Sequence, residues 1–343
     1  MDNSNQIEQR KNDHIQINLD YDVSGKGITS GLEQYRFNHD ALPNVNLEDI
    51  DTNVEFLERR LQLPLIISSM TGGTSQGEHI NRNLATAAQH FHIALALGSG
   101  RAAISNPSTA KSFYVRKEAP NVLLFANLGA IQLNYGYTAK QCAQLVELME
   151  ADGLILHLNP LQEAVQPEGN THFERLIDRI SDVCATLSVP VMVKEVGWGL
   201  SAEVIQSLYQ AGVVAVDVAG AGGTSWSEVE RHRGTPDQAA IASAFSNWGI
   251  PTADAIIRAR SSVPTIPIVA SGGIRSGVDA AKCLALGSTI VGMASPFLKA
   301  AVESSQEVEK VIRVFEQQLR ITMFCTGNSN IECLRKERLT LMS

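Results

Sequence analysis

Residues 190–223, PVMVKEVGWGLSAEVIQSLYQAGVVAVDVAGAGG, hold one full turn of the unit from which this chain is built. An aliphatic run ends in charge at 190–195 and passes through a glycine-containing turn. A stretch with helical periodicity follows, and a second aliphatic run begins at 213. The same unit recurs from about residue 63 onward. It predicts strands at 63–69, 93–97, 122–128, 153–158, 190–195, 213–218, 266–270 and 289–293, separated by amphipathic stretches such as 138–150 and 173–187. Strand–helix alternation requires parallel pairing, and apolar runs without clear alternation belong to strands covered on both faces. Eight such units at a spacing of roughly 30 residues predict an α/β protein, a closed (β/α)8 TIM barrel, with a doubly wound open sheet as the competing architecture.

The remaining text sorts around that barrel. Residues 1–62 read as an arm or cap packed on the barrel, 63–305 as the barrel itself, and 306–343 as a C-terminal helix and tail, one domain overall. Between the sixth and seventh strands, at about 219–265, the connection is too long for one helix, and WSEVERHRGTP reads as an inserted loop. Of 343 residues, 44% are hydrophobic and 19% charged, which excludes a disordered or collagen-like chain. Lys+Arg 28 against Asp+Glu 36 gives a net charge of −8, so the whole-protein field repels nucleic acid and anionic membranes. Any phosphate site must therefore be a local basic cluster. The five cysteines include no CxxC pair, the first 20 residues carry no apolar signal core, and no apolar run approaches a membrane span. A cytoplasmic protein without membrane or nucleic-acid partners is expected.

Active sites of such barrels lie at the C-terminal ends of the strands, and here those ends are unusually polar. Glycine pairs after the sixth and seventh strands, the first followed by Thr224 and the second ending in Gly273 ahead of the helix beginning near Ser276, suit a phosphate held by backbone N–H groups. Lys194 sits alone in an apolar run, where an ammonium needs an anion or polar ligand. It reads as a salt bridge to Glu195 or Asp217, as a cation beneath a cofactor or substrate oxygen, or as a Schiff-base lysine. In HLNPLQEAVQPEGN, Glu163 among amides suggests Mg²⁺ held by one carboxylate, waters and substrate phosphate, against the plainer reading of a solvated acid. His157 is either a general acid or a hydrogen-bonded positioning group. The cluster Arg10-Lys11-Asn12-Asp13-His14 is a solvated face or, with Arg101, a diphosphate clamp. Cys283, Trp198 and Met70 read as packing residues, and Trp226 and Trp248 as loop anchors or substrate contacts.

Together these motifs resemble one family. RKxxH at 10–14, GLEQYRFNHDALP at 31–43, ISSMTGG at 67–73, HLNPLQEAVQPEGN at 157–170, KEVGWG at 194–199, DVAGAGGTSW at 217–226, WGIPT at 248–252 and ASGGIRSG at 270–277 are similar to the type 2 isopentenyl-diphosphate isomerases. The resemblance implies an FMN-dependent barrel that interconverts isopentenyl and dimethylallyl diphosphate, uses Mg²⁺, and keeps its flavin reduced with NADPH. It implies FMN contacts at Ser68, Ser69, Met70, Thr71, Ser99, Asn127, Lys194, Thr224, Gly273, Ile274, Arg275, Ala294 and Ser295. It places the diphosphate on Arg10, Lys11, Ser99, Gly100 and Arg101, Gln162 beside the hydrocarbon, and Glu163 on the metal. Gln162, His157 and Lys194 would carry the chemistry, with Gln162, which cannot titrate, in a positioning role. A homo-oligomer, tetramer or octamer, follows from the same resemblance. Two other functions fit the barrel: a different FMN-dependent oxidoreductase, or a non-catalytic phosphate- or flavin-binding protein.

Overall fold

A computed structural model describes residues 3–342. Its centre is a closed parallel barrel of eight strands: β1 (Leu65–Ile67), β2 (Ala94–Ala96), β3 (Leu124–Gly129), β4 (Gly153–His157), β5 (Val191–Lys194), β6 (Ala215–Asp217), β7 (Ile268–Ala270) and β8 (Ile290–Met293). Seven fall inside the aliphatic runs read from the sequence, and β3 runs one residue past its own, to Gly129. Closure is made by β8 on β1, with Val291 opposite Leu65 and Met293 opposite Ile67. This excludes the open doubly wound sheet. The strands are buried along almost their whole length, which is why they show no polar alternation.

The helices, in chain order, begin with α1 (Asn3–Asp20), α2 (Ser75–Phe91), α3 (Arg101–Ser105), α4 (Ala139–Leu148), α5 (Pro160–Val165), α6 (Leu176–Thr186) and α7 (Ala202–Gln210). They continue with α8 (Trp226–Arg233), α9 (Pro236–Ser243), α10 (Thr252–Ser262), α11 (Gly277–Ala285), α12 (Ser295–Glu303), α13 (Ser305–Phe324) and α14 (Ile331–Arg335). Local chemistry sets several of their starts. Thr138 and Gln141 form a capping box on α4, and Ser276 caps α11 by accepting from the Asp279 N–H. No described helix is long and apolar enough to cross a membrane.

Three regions differ from their reading in the sequence. The arm, in which no helix was read, opens with the 18-residue helix α1, in which Ile15 and Ile17 are buried. The text read as an inserted loop forms α8 and α9. Helix α8 has Glu228 in its first turn and Arg231, His232 and Arg233 in its last, an order that suits the helix dipole. Helix α9 has Pro236 at its start and a Thr235–Gln238 capping box. The buried face of α8 is charged, with Glu228 and Glu230 only 2% and 3% exposed, so a search for apolar periodicity passes over it. The polar end of the tail folds back as well, pairing Thr340 and Leu341 antiparallel with Arg36 and Tyr35 of the arm.

Helix α13 closes the outer layer by packing Val308, Ile312, Phe315, Leu319 and Met323 inward, in contact with α2, α11 and α12. Phe315 is 2% exposed and does not line the cavity at the barrel mouth. Phe315→Ala should therefore lower stability by about 3–5 kcal/mol, the usual range for emptying a buried aromatic position. Urea unfolding checks the size.

Candidate active site

All eight strand ends open onto one cavity of about 730 Å³, which α1 covers from the side through Arg10, Lys11, His14 and Ile15. Parallel register sets the order of side chains around its floor. His157 stands beside Lys194 across β4 and β5, and Lys194 beside Asp217 across β5 and β6. Asn127 Nδ2 donates to Ser69 Oγ at 2.9 Å, which turns its Oδ1 toward His157 Nδ1 at 2.8 Å. That oxygen can only accept, so Nδ1 carries the proton and Nε2 keeps its lone pair. Burial, reinforced by the Lys194 charge, holds the imidazole down to about 3, and it is neutral at ordinary pH.

Lys194 is 8% exposed and donates to the main-chain oxygen of Glu195 at 2.5 Å. The salt bridge to Glu195 or Asp217 weighed from the sequence is not formed. The Glu195 carboxylate turns instead to the backbone N–H groups of Val196, Gly197 and Trp198, at 2.7, 2.7 and 2.6 Å. Burial pushes this acid up to about 7, against those three donors and Lys194, which lower it. Asp217 accepts from Ser271 Oγ at 2.6 Å and from the Ala219 N–H at 3.1 Å, and burial raises it too.

Glu163 lies on the short helix α5, 8% exposed, inside a shell of amides. Its Oε1 accepts from Asn159 Nδ2 at 3.1 Å; its Oε2 accepts from Gln166 Nε2 at 2.8 Å and from the Asn170 N–H at 2.5 Å. Gln162 Oε1 accepts from the same Asn159 amide at 3.0 Å. The turn after α5 comes so close that a Cβ on Gly169 would lie 1.7 Å from the Glu163 carbonyl oxygen, which accounts for the glycine in QPEGN.

The arm supplies cations. Lys11 Nζ donates to the carbonyls of Gly72 at 2.6 Å and Ser99 at 3.0 Å. Burial, then Arg10 and Arg101, bring this lysine down to about 7. Arg10 is 3.7 Å from Glu168, which also pairs with Arg233 at 2.6 Å. Arg233 and His14 both hold Glu230, each at 2.9 Å. Arg101 lines the cavity and donates to Asn170 Oδ1 at 3.4 Å.

The structure thus gathers around one cavity every candidate from the sequence except Gly100. Gly100 caps α3 and packs against Leu145 and Met149. Met70 and Trp226, the one read as packing and the other left open, both line the cavity, whereas Trp248 is 59% exposed. Sequence reading missed Gln132, Asn170, Glu230 and Arg233. Asn170 closes a quoted motif, and its position there was the one available signal.

The fold and its ring of polar strand ends define a flavin-type barrel of the FMN-dependent dehydrogenase family, which matches residues 131–341. The chain is 48% identical to an isopentenyl-diphosphate delta-isomerase of Nostoc sp., over 97% of this chain and 95% of that one. It is 50% identical to one of Rickettsia bellii, over 97% of each. The barrel superposes on a putative lactate oxidase of Pediococcus acidilactici with a TM-score of 0.71 at 15% identity, covering 100% of this chain and 95% of the other, which speaks for the fold alone. The chain belongs to the type 2 isopentenyl-diphosphate delta-isomerases and is an enzyme of the isomerase class.

The residues present fit FMN. Ser68 Oγ is buried at the cavity without a hydrogen-bond partner, an orphan that a ligand atom would satisfy. A Cβ on Gly273, where φ is +75°, would lie 2.5 Å from the Gly222 carbonyl, so the two glycine turns meet backbone to backbone. The donor set also fits a hard cation. Asn159 Oδ1 is buried and unpartnered one turn from the Glu163 carboxylate. Among the described residues no group of three or more His, Cys, Asp or Glu could hold a metal, so a cation here would need substrate oxygens and water to complete its shell.

Glu195 generates a pH prediction. Its carboxyl titrates near 4.5 when unfolded and near 7 in the fold, so its contribution to stability is complete below 4.5 and is lost as pH rises through 7. Glu195→Gln keeps an acceptor for the three N–H groups and removes the charge. The urea midpoint of the variant relative to the native protein should rise between pH 4.5 and 7 and then level off. A difference independent of pH would show that the fold does not raise the affinity of this carboxylate for protons.

Proposed function

We propose that the enzyme interconverts isopentenyl diphosphate and dimethylallyl diphosphate without net redox change, with FMN in the barrel mouth, kept reduced by NADPH, and Mg²⁺ on the substrate diphosphate. The observation that carries this reading is the meeting of two chemistries in one cavity. A cationic corner of Arg10, Lys11 and Arg101 suits a diphosphate, and it faces a buried floor of Asn127, His157 and Lys194 beneath the glycine turns. Relatives at about half identity over nearly the whole chain bear the isomerase name, which supports the same substrates.

Moving the double bond means adding a proton at one carbon of an unactivated alkene and removing one from another, through a state with tertiary-cation character. When bound, reduced FMN supplies an electron-rich ring face and a nitrogen-borne proton. The chain supplies binding, orientation and the exclusion of water. Arg10, Lys11, Ser99 and Arg101 take the diphosphate. Anion binding would favour the charged form of Lys11, whose present neighbours Arg10 and Arg101 disfavour it. Glu163 would hold Mg²⁺ against that diphosphate. Gln162, oriented by Asn159, has no proton to give or take near neutral pH, so it places the hydrocarbon. His157, neutral and donating to Asn127, acts as a positioning group that fixes the Asn127 amide. Lys194, at the cavity floor, would place positive charge near the bound flavin and so favour its reduced form. Ser68, Thr71, Thr224, Gly273, Arg275 and Ser295 form the remaining FMN cradle.

The direct test is anaerobic conversion of isopentenyl diphosphate with FMN, Mg²⁺ and NADPH, beside an identical sample with oxidised flavin. Dimethylallyl diphosphate should form only with reduced flavin, in large excess over enzyme and without matching NADPH loss. Stoichiometric NADPH consumption would point to an oxidoreductase, and flavin binding without product to a binding protein. Lys194→Met separates the electrostatic role from simple packing: the flavin's reduction potential should fall while FMN still binds, and an unchanged potential would remove Lys194 from that role.

A further inference from the structure

We infer that Asn170 is a positioning residue that couples the diphosphate-binding arginine Arg101 to the metal-binding carboxylate of Glu163. The inference rests on the assignment of those two groups proposed above and extends it to a residue outside them.

The geometry is that of a hub. Asn170 Oδ1 accepts from Arg101 Nη1 at 3.4 Å and from Gln132 Nε2 at 3.1 Å. From the same residue, the main-chain N–H donates to Glu163 Oε2 at 2.5 Å. One residue therefore touches a cation that would bind the diphosphate and the carboxylate that would bind its metal. Arg101, which can only donate, fixes which way the Asn170 amide points, and Gln132, 4% exposed, adds a second donor to the same oxygen.

Neighbouring residues show that this segment holds functional groups in turn. Gln166 donates to Glu163, Glu168 pairs with Arg10, and Asn170 accepts from Arg101. These are alternate residues of a single turn, and that turn sits hard against α5 because Gly169 has no side chain. A diphosphate chelating Mg²⁺ presents oxygens to metal and guanidinium at a fixed separation. Mg²⁺ tolerates little departure from octahedral geometry, and a guanidinium fork is selective about direction. A residue bonded to both partners sets that separation before the ligand arrives, which makes binding of the anion and the metal cooperative.

The test uses the FMN-loaded full chain and inorganic pyrophosphate, titrated by calorimetry with and without Mg²⁺, so that its readout is independent of turnover. In the native protein Mg²⁺ should tighten pyrophosphate binding. In Asn170→Ala that enhancement should shrink by about tenfold, the scale expected for losing a hydrogen bond to a charged group, with FMN affinity unchanged. Asn170→Asp keeps the acceptor for Arg101 and Gln132 and should retain the enhancement. An undiminished enhancement in Asn170→Ala overturns the hub, as does an equal loss in both variants. Absence of any Mg²⁺ effect in the native protein overturns the diphosphate and metal assignment itself, and the hub with it. If Asn170→Ala fails to fold, Asn170→Asp beside Gln132→Leu carries the same comparison: Leu frees the amide, so full enhancement in Gln132→Leu counts against the hub.

Discussion

Closure of β8 on β1 is the constraint from which the rest follows. Three parallel pairs, Val291 with Leu65, Gly292 with Ile66 and Met293 with Ile67, turn an open sheet into a ring. Once the ring closes, eight strands must end at one rim, and side chains hundreds of residues apart in sequence face the same space. Ser68 and Ser295 become neighbours of Lys194 and Thr224 for that reason alone. A closed sheet also has no edge to protect, so its strands can be short and wholly apolar, with polar residues reserved for their ends.

The rim concentrates buried charge, and the chain handles it by separating the partners. Lys194 lies between His157 and Asp217 in register, yet neither Asp217 nor Glu195 forms an ion pair with it. The carboxylates are held by other donors: Glu195 by three backbone N–H groups, Asp217 by Ser271 and Ala219, Glu163 by amides. A carboxylate satisfied in this way does not need to collapse onto the nearest cation. The ammonium therefore keeps donors available to the cavity, and the preorganisation an electrostatic site requires is built into the fold before any ligand binds.

What could be read from the sequence divides along the same line. The barrel was legible because its signal is local: each strand is an aliphatic run, each helix an amphipathic stretch, and Lys194 stands out against PVMVKEV by itself. The site was legible where one short motif carries several functional groups, as in NPLQE or SSMT. The arm helix and α8 were not: among its described side chains α1 buries only the pair Ile15 and Ile17 on a largely polar helix, and the buried face of α8 includes Glu228 and Glu230, whose burial is stable only beside partners such as Arg231 and His14. Gly100 differs from Ser99 and Arg101 in where it packs. It lies between two cavity residues in sequence, but as the cap of α3 it faces α4.

Those same distant pairings explain how an acidic chain can present a cationic corner. Burial, and then the charge of Arg101, lowers the proton affinity of Arg10, and burial, then Arg10 and Arg101, lowers that of Lys11. Such a cluster is unfavourable alone. In the fold it is partly offset by Glu168, which bonds Arg233 and approaches Arg10 while remaining 45% exposed. An exposed carboxylate beside a buried guanidinium is a weak pairing, screened by water on one side. An incoming anion with several oxygens, reaching Arg10, Lys11 and Arg101 together, meets donors that Glu168 reaches only at one end. Glu168, on the turn after α5, thus ties the arm only loosely, and the repulsion among the three cations favours a multivalent anion over a single carboxylate.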